Sequence, residues 1–223
     1  MSNIRQIPVF IICRDRLNCL KSLLEWLERI DQKRIILLDN NSTYPPLLNF
    51  YKSTKHEVIR FRHNYGQTVL WRTKQFQEVI TKNYYILSDP DVVPDKSCPL
   101  DAIEYLYQLL EKYHTFDKAG FGLKIDDIPS HYQYREDVIR WEKRFWVKEI
   151  EPNVFDAPID TTFALYRPGV KYSFNSIRTG SPYIARHIPW YVNSRKLTDE
   201  ELFYSKHIRK EFSHWTSYSR SRS

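Results

Sequence analysis

The chain has 223 residues, 42% of them hydrophobic, with 16 Tyr, 12 Phe and 6 Trp but only 5 Gly. That content supports one substantial core and excludes a collagen-like, linker-rich or wholly disordered chain. A net charge of +7 favours an anionic partner without choosing among nucleotide, nucleic acid, acidic glycan and membrane surface.

Residues 8–13 form a continuous apolar run, the pattern of a strand buried on both faces. Leu17, Leu20, Leu24 and Leu27 follow at helical spacing, with Asp15 available as a cap. Residues 34–38 predict a second strand, 46–52 a short helix, 58–61 a third strand and 68–82 a long helix. Residues 84–87 predict a fourth strand, ended by Ser88-Asp89-Pro90-Asp91, and 100–114 another helix. Strands alternating with helices predict an α/β domain with a mainly parallel central sheet. The second half is less regular: 119–123 and 162–166 read as strands, and 125–153, rich in Trp, Tyr and charge, is expected to be partly helical and to wall one side of a site. Residues 217–223 form a basic tail expected to be mobile. Cys13, Cys19 and Cys98 are odd in number and lack metal-ligand spacing, which suits a reducing compartment. The apolar run after Met1 is too short for a signal sequence, and no run reaches the ~20 apolar residues of a membrane span, so a soluble cytoplasmic protein is expected.

In parallel sheets, ligands bind at the carboxyl ends of the strands. Each expected strand ends in a polar cluster: Cys13-Arg14-Asp15-Arg16, Asp39-Asn40-Asn41-Ser42, Arg62-His63-Asn64-Tyr65-Gly66 and Asp89-Pro90-Asp91. Asp89 and Asp91, stiffened by the intervening Pro90, are spaced to hold one divalent cation, which would offset the charge of a departing diphosphate. The plain alternative for each cluster is ordinary turn chemistry.

Taken in order, these motifs resemble the family 2 type of glycosyltransferase, with its GT-A nucleotide-sugar-binding fold, over roughly the first half of the chain. The resemblance implies one GT-A domain over 1–216, its nucleotide-binding part at about 1–95 and its acceptor-binding part at about 96–216. It implies that Asp39 accepts a hydrogen bond from the base, commonly uracil, that Cys13 and Arg14 line base and ribose, and that Arg62, Asn64 and Gly66 sit beside the nucleoside. Asp89 would contact the ribose or the metal shell, and Asp91 would ligate the metal. GT-A enzymes of several families return a C-terminal histidine to the metal, and His187 resembles that residue; an imidazole favours Mn²⁺ over Mg²⁺. Lys171, Arg178 and Arg186 are candidates for the diphosphate, and Trp190 and Tyr191, more than Trp141 and Trp146, for stacking on a sugar.

The implied activity is transfer of a hexose from a UDP-sugar to a glycan or other hydroxyl acceptor. One family feature is missing. Many inverting members carry a Glu-Asp pair whose Asp is the base, and the corresponding residues 174–181 contain no carboxylate. Asp160 and then Asp156 are the nearest candidates, and a retaining mechanism stays open. A nucleotidyltransferase making a nucleotide sugar is the enzymatic alternative, although residues 14–18 lack its glycine-rich loop. A nucleic-acid-binding module is the non-enzymatic one, favoured by charge and tyrosines.

Overall fold

A computed structural model describes residues 4–208 and Trp215; the expected basic tail lies outside them. In chain order the elements are β1 (Val9–Cys13), α1 (Asn18–Arg29), β2 (Ile35–Asp39), α2 (Pro45–Tyr51), β3 (Glu57–Arg60), α3 (Val69–Arg72), α4 (Gln77–Lys82), β4 (Tyr85–Ser88) and β5 (Val92–Pro94). There follow α5 (Ala102–Lys112), β6 (Lys118–Leu123), α6 (Arg135–Lys143), β7 (Glu149–Glu151), β8 (Val154–Asp156), β9 (Ala164–Tyr166), β10 (Ser176–His187) and α7 (Asp199–His207).

One sheet runs in the order β3-β2-β1-β4-β9-β6-β10-β8-β7, with β5 paired to β10. β1, β2, β3 and β4 are parallel neighbours, and β6 is parallel to β10. The antiparallel steps turn only β9, β8 and β5 against the common direction. The central sheet is therefore mostly parallel, and the carboxyl ends of β1, β2, β3, β4, β6 and β10 reach one edge. One face packs Leu20, Leu23 and Leu27 of α1 and Ile103, Leu106 and Leu110 of α5; the other packs Val69, Leu70, Phe76 and Ile80. Burying both faces explains the unbroken apolar runs of β1 and β2.

The long helix expected over 68–82 is broken. Thr73 is extended (φ −93°, ψ 140°), so α3 stops at Arg72 and α4 starts at Gln77. Trp71 and Phe76 both pack on the same face of the sheet, yet five residues apart on one helix they would point about 140° from each other. The break resolves that conflict, and the Gln77 amide satisfies the freed carbonyls of Trp71 and Thr73 at 3.3 and 2.9 Å. The stretch 125–153 is partly helical, through α6 and a following 3-10 turn.

The three cysteines are free and buried, and no described helix is long and apolar enough to cross a membrane. At Gly122 of β6 a Cβ would lie 2.5 Å from the Trp146 ring and 2.6 Å from the Thr179 carbonyl oxygen. Gly122→Ala is accordingly expected to cost about 1–3 kcal/mol, read as a lowered midpoint in thermal unfolding.

Candidate active site at the carboxyl edge of the sheet

The loops after β1, β2 and β3 form one preorganised unit. Three of their residues hold positive φ: Asp15 (49°), Asn41 (65°) and Gly66 (63°). Asp and Asn adopt this left-handed conformation more readily than other non-glycine residues, and the hydrogen bonds around Asp15 and Asn41 fix it here. The Asp15 carboxylate accepts the N–H groups of Thr43 and Tyr44 at 2.6 and 2.9 Å, and its own N–H donates to Ser42 Oγ. Arg14 Nη1 donates to the carbonyls of Asn40 and Asn41 at 2.7 and 3.0 Å. The Asn40 side chain accepts from Tyr65 N–H and donates to the Gly66 carbonyl.

Asp15 is thereby spent on the β2 loop and does not cap α1, contrary to expectation. Glu200 of α7 does so instead, accepting the N–H groups of Leu17 and Asn18 at 2.8 and 3.1 Å.

Asp39 ends β2 fully buried. Its carboxylate accepts from Tyr51 Oη (3.1 Å), Arg60 Nε (3.0 Å) and the Ser42 N–H. Of these three donors Arg60, with half its side chain exposed, is the one open to solvent. A cavity of about 490 Å³ opens beside these two partners, between α2 and β3, lined by Leu48, Tyr51, Lys52, Val58 and Arg60. Cys13 is fully buried, and burial raises its thiol pKa, so the backbone of this residue is all it offers a ligand. Arg62, Asn64 and Gly66 are exposed on the β3 loop.

The acidic turn lies after β4. Asp89 Oδ2 accepts from Thr161 Oγ1 at 2.7 Å, and Asp89 N–H donates to the Thr161 carbonyl at 3.0 Å. The antiparallel pairing of β5 with the end of β10 sets His187 opposite Val92. His187 Nε2 then stands 3.7 Å from Asp91 Oδ2, and Arg16 Nε stands 3.7 Å from the same oxygen. Those separations are too long for hydrogen bonds. His187 Nδ1 and Arg16 Nε have no hydrogen-bond partner among the described residues. Burial, and then the charge of Asp91, push the Asp89 carboxyl well above the usual range. Burial holds His187 below its ordinary value despite the attraction of Asp91, which favours the neutral imidazole that can donate a lone pair.

Among the described residues no three His, Cys, Asp or Glu side chains form a ready-made metal cage. Asp91 and His187, 13% and 22% exposed at the side chain, offer two facing donors to solvent. That donor set fits a cation whose coordination is completed by substrate phosphates rather than by protein.

On the other flank, Asp160 is exposed and directly precedes Thr161. Its Oδ1 accepts from Tyr172 Oη at 2.8 Å, and its carbonyl accepts from Lys118 Nζ at 2.9 Å. Lys118 is buried, and burial lowers its pKa to about 8. Asp156 is turned elsewhere, into an ion pair with Lys148. Trp190 is buried beneath the His187 ring, at 4.7 Å between centroids, and offers no free face to a sugar. Tyr191 Oη is bound to Asp127 at 2.7 Å. Arg178 is buried against Glu142, and Arg186 is paired with Asp95 and Asp127, so neither cation is free for a diphosphate. Thr161, Tyr172 and the two α7 glutamates are not legible as site residues in the sequence, and Arg16, part of the first-strand cluster, carries no assigned role there. A Thr beside an expected strand and a Glu pair opening a helix carry no local signal of a site.

No family model matches the chain, and no curated protein matches its sequence. Among solved structures it is similar to a mannosyltransferase from Pyrobaculum calidifontis in complex with GDP-Man and Mn2+ (11% identity, TM-score 0.46, covering 73% of this chain and 44% of that one). It is also similar to glucosyl-3-phosphoglycerate synthase from Mycobacterium tuberculosis in complex with Mn2+ and UDP-Glc (14%, 0.44, 73% and 56%). A third is a mycobacterial protein (13%, 0.49, 97% and 76%). The chain spans about half the length of the two transferases.

Proposed function

We propose that the protein is a glycosyltransferase of the GT-A type, moving a hexose from a nucleotide-diphosphate sugar to a hydroxyl acceptor with the help of a divalent cation. What carries this reading is the meeting of Asp91 and His187 at 3.7 Å beside Asp89, at the edge where the β1, β2 and β3 loops are locked together.

Asp91 and His187 would hold the cation, Mn²⁺ in preference to Mg²⁺ because of the imidazole. Bound there, it would neutralise charge on the departing diphosphate. Asp89, fixed by Thr161, would contact the ribose or the metal shell. The nucleoside would lie against Arg14, Arg62, Asn64 and Gly66, with Arg60 turning from Asp39 to admit a uracil edge. Glucose, galactose and N-acetylglucosamine are all compatible as the sugar.

Asp160 is the proposed base. It takes the proton of the acceptor hydroxyl as that oxygen bonds to the anomeric carbon and the bond to the diphosphate breaks. Tyr172 orients its carboxylate and Lys118 its backbone. Asp160→Asn is expected to lower kcat for transfer roughly 10²–10⁴-fold with donor KM unchanged; an unaltered kcat would remove Asp160 from this role.

The reading is tested by incubating the protein with a panel of UDP-sugars and Mn²⁺, with and without EDTA, and measuring released UDP. Metal-dependent release from one sugar supports it. No release, with consumption of UTP and a sugar 1-phosphate instead, would make the protein a nucleotidyltransferase.

A further inference from the structure

A simple carboxylate–imidazole cation site has no need of a buried arginine, yet Arg16 sits against this one and is only 2% exposed. Its Nη1 and Nη2 reach the Glu201 carboxylate at 2.6 and 3.4 Å, and its guanidinium lies 3.9 Å from the Tyr204 ring centre. The remaining nitrogen, Nε, has no hydrogen-bond partner among the described residues and faces Asp91 Oδ2 at 3.7 Å. That is the same oxygen that faces His187.

A guanidinium keeps its charge at any ordinary pH. Clamped by Glu201 and Tyr204, it cannot swing away from Asp91. Glu201 balances that charge from the Nη side, so a divalent cation seated between Asp91 and His187 meets the positive end of a fixed ion pair, with few protein donors in front to offset it.

We propose that Arg16 makes this site selective for a divalent cation in complex with a nucleoside diphosphate, and that it keeps the bare cation out. The diphosphate supplies the missing oxygen ligands, and its negative charge offsets the Nε edge of Arg16 that faces the site. The inference rests on the glycosyltransferase reading, since it needs the cation site there assigned. Glu201 and Tyr204 become positioning residues for the guanidinium, which gives α7 a part in the site although it lies at the far end of the described chain.

The test is a Mn²⁺ titration followed by electron paramagnetic resonance, in which the signal of the free ion is lost on binding, with and without UDP. It compares the intact protein with the double variant Arg16→Met/Glu201→Gln, which removes both buried charges together so that neither is left unpaired. The intact protein should take up Mn²⁺ on the order of 100-fold more tightly with UDP than without. The double variant should bind Mn²⁺ alone roughly tenfold more tightly than the intact protein, because the positive end of the ion pair, 3.7 Å from Asp91 Oδ2, is withdrawn while the Glu201 charge lost with it lies on the far side of the guanidinium. Equal affinity of the intact protein for Mn²⁺ with and without UDP overturns the proposal, whether or not the variant folds. So does a folded variant that binds Mn²⁺ alone no better while still binding Mn²⁺ with UDP. Uptake in neither condition removes the glycosyltransferase reading itself, and the proposal with it.

Discussion

Asp91→Ala is expected to lower sugar release and transfer by roughly 10³-fold or more, since a cation neutralising a leaving diphosphate supplies several kcal/mol and each 1.36 kcal/mol is tenfold in rate. The carboxylate faces both His187 and Arg16, so its loss removes the hinge of the proposed cation site. The fold should survive. Asp91 is partly exposed on a turn, and Arg16 keeps its 2.6 Å contact with Glu201. Circular dichroism and thermal unfolding should match the unaltered protein while UDP release is lost. Unchanged turnover in a folded variant would end the metal role of this residue.

Glu201→Ala should act in the opposite way, on stability first. Arg16 would be left buried without its bidentate partner, and breaking a buried ion pair costs about 3–5 kcal/mol. At about 2–4 °C per kcal/mol for a chain of this size, thermal unfolding should fall by roughly 10 °C. Glu201→Gln keeps an oxygen for Nη1 and should lose less. A midpoint within about 2 °C of the unaltered protein in Glu201→Ala would show that α7 does not hold the β1 loop.

The first half of the fold was legible because parallel strands buried on both faces write unbroken apolar runs, as in Phe10-Ile11-Ile12 and Ile36-Leu37-Leu38. Given such a sheet, the polar clusters at Arg14, Asp39, Asn64 and Asp89 had to reach one edge. The side chains at that edge were less legible, since their partners are set by tertiary contact. Asp15 has the local look of a helix cap, yet the cap is Glu200, 182 positions beyond the Asn18 it binds. Acids at the start of α7 read as ordinary first-turn residues, and nothing local ties them to Arg16. In the sequence Trp190 reads as a sugar platform because it lies close to His187. At the end of a strand that closeness instead folds it under the imidazole and into the core. The break at Thr73 has no proline or glycine to announce it; it follows from two aromatic side chains competing for one face of the sheet.

Calorimetric titration with UDP, in the presence and absence of Mn²⁺, tests the proposed cation-dependent nucleotide site most directly. Binding that requires Mn²⁺ and is lost in Asp91→Ala is the predicted result. UDP binding that is the same with and without the metal, or no binding of UDP under either condition, would contradict it.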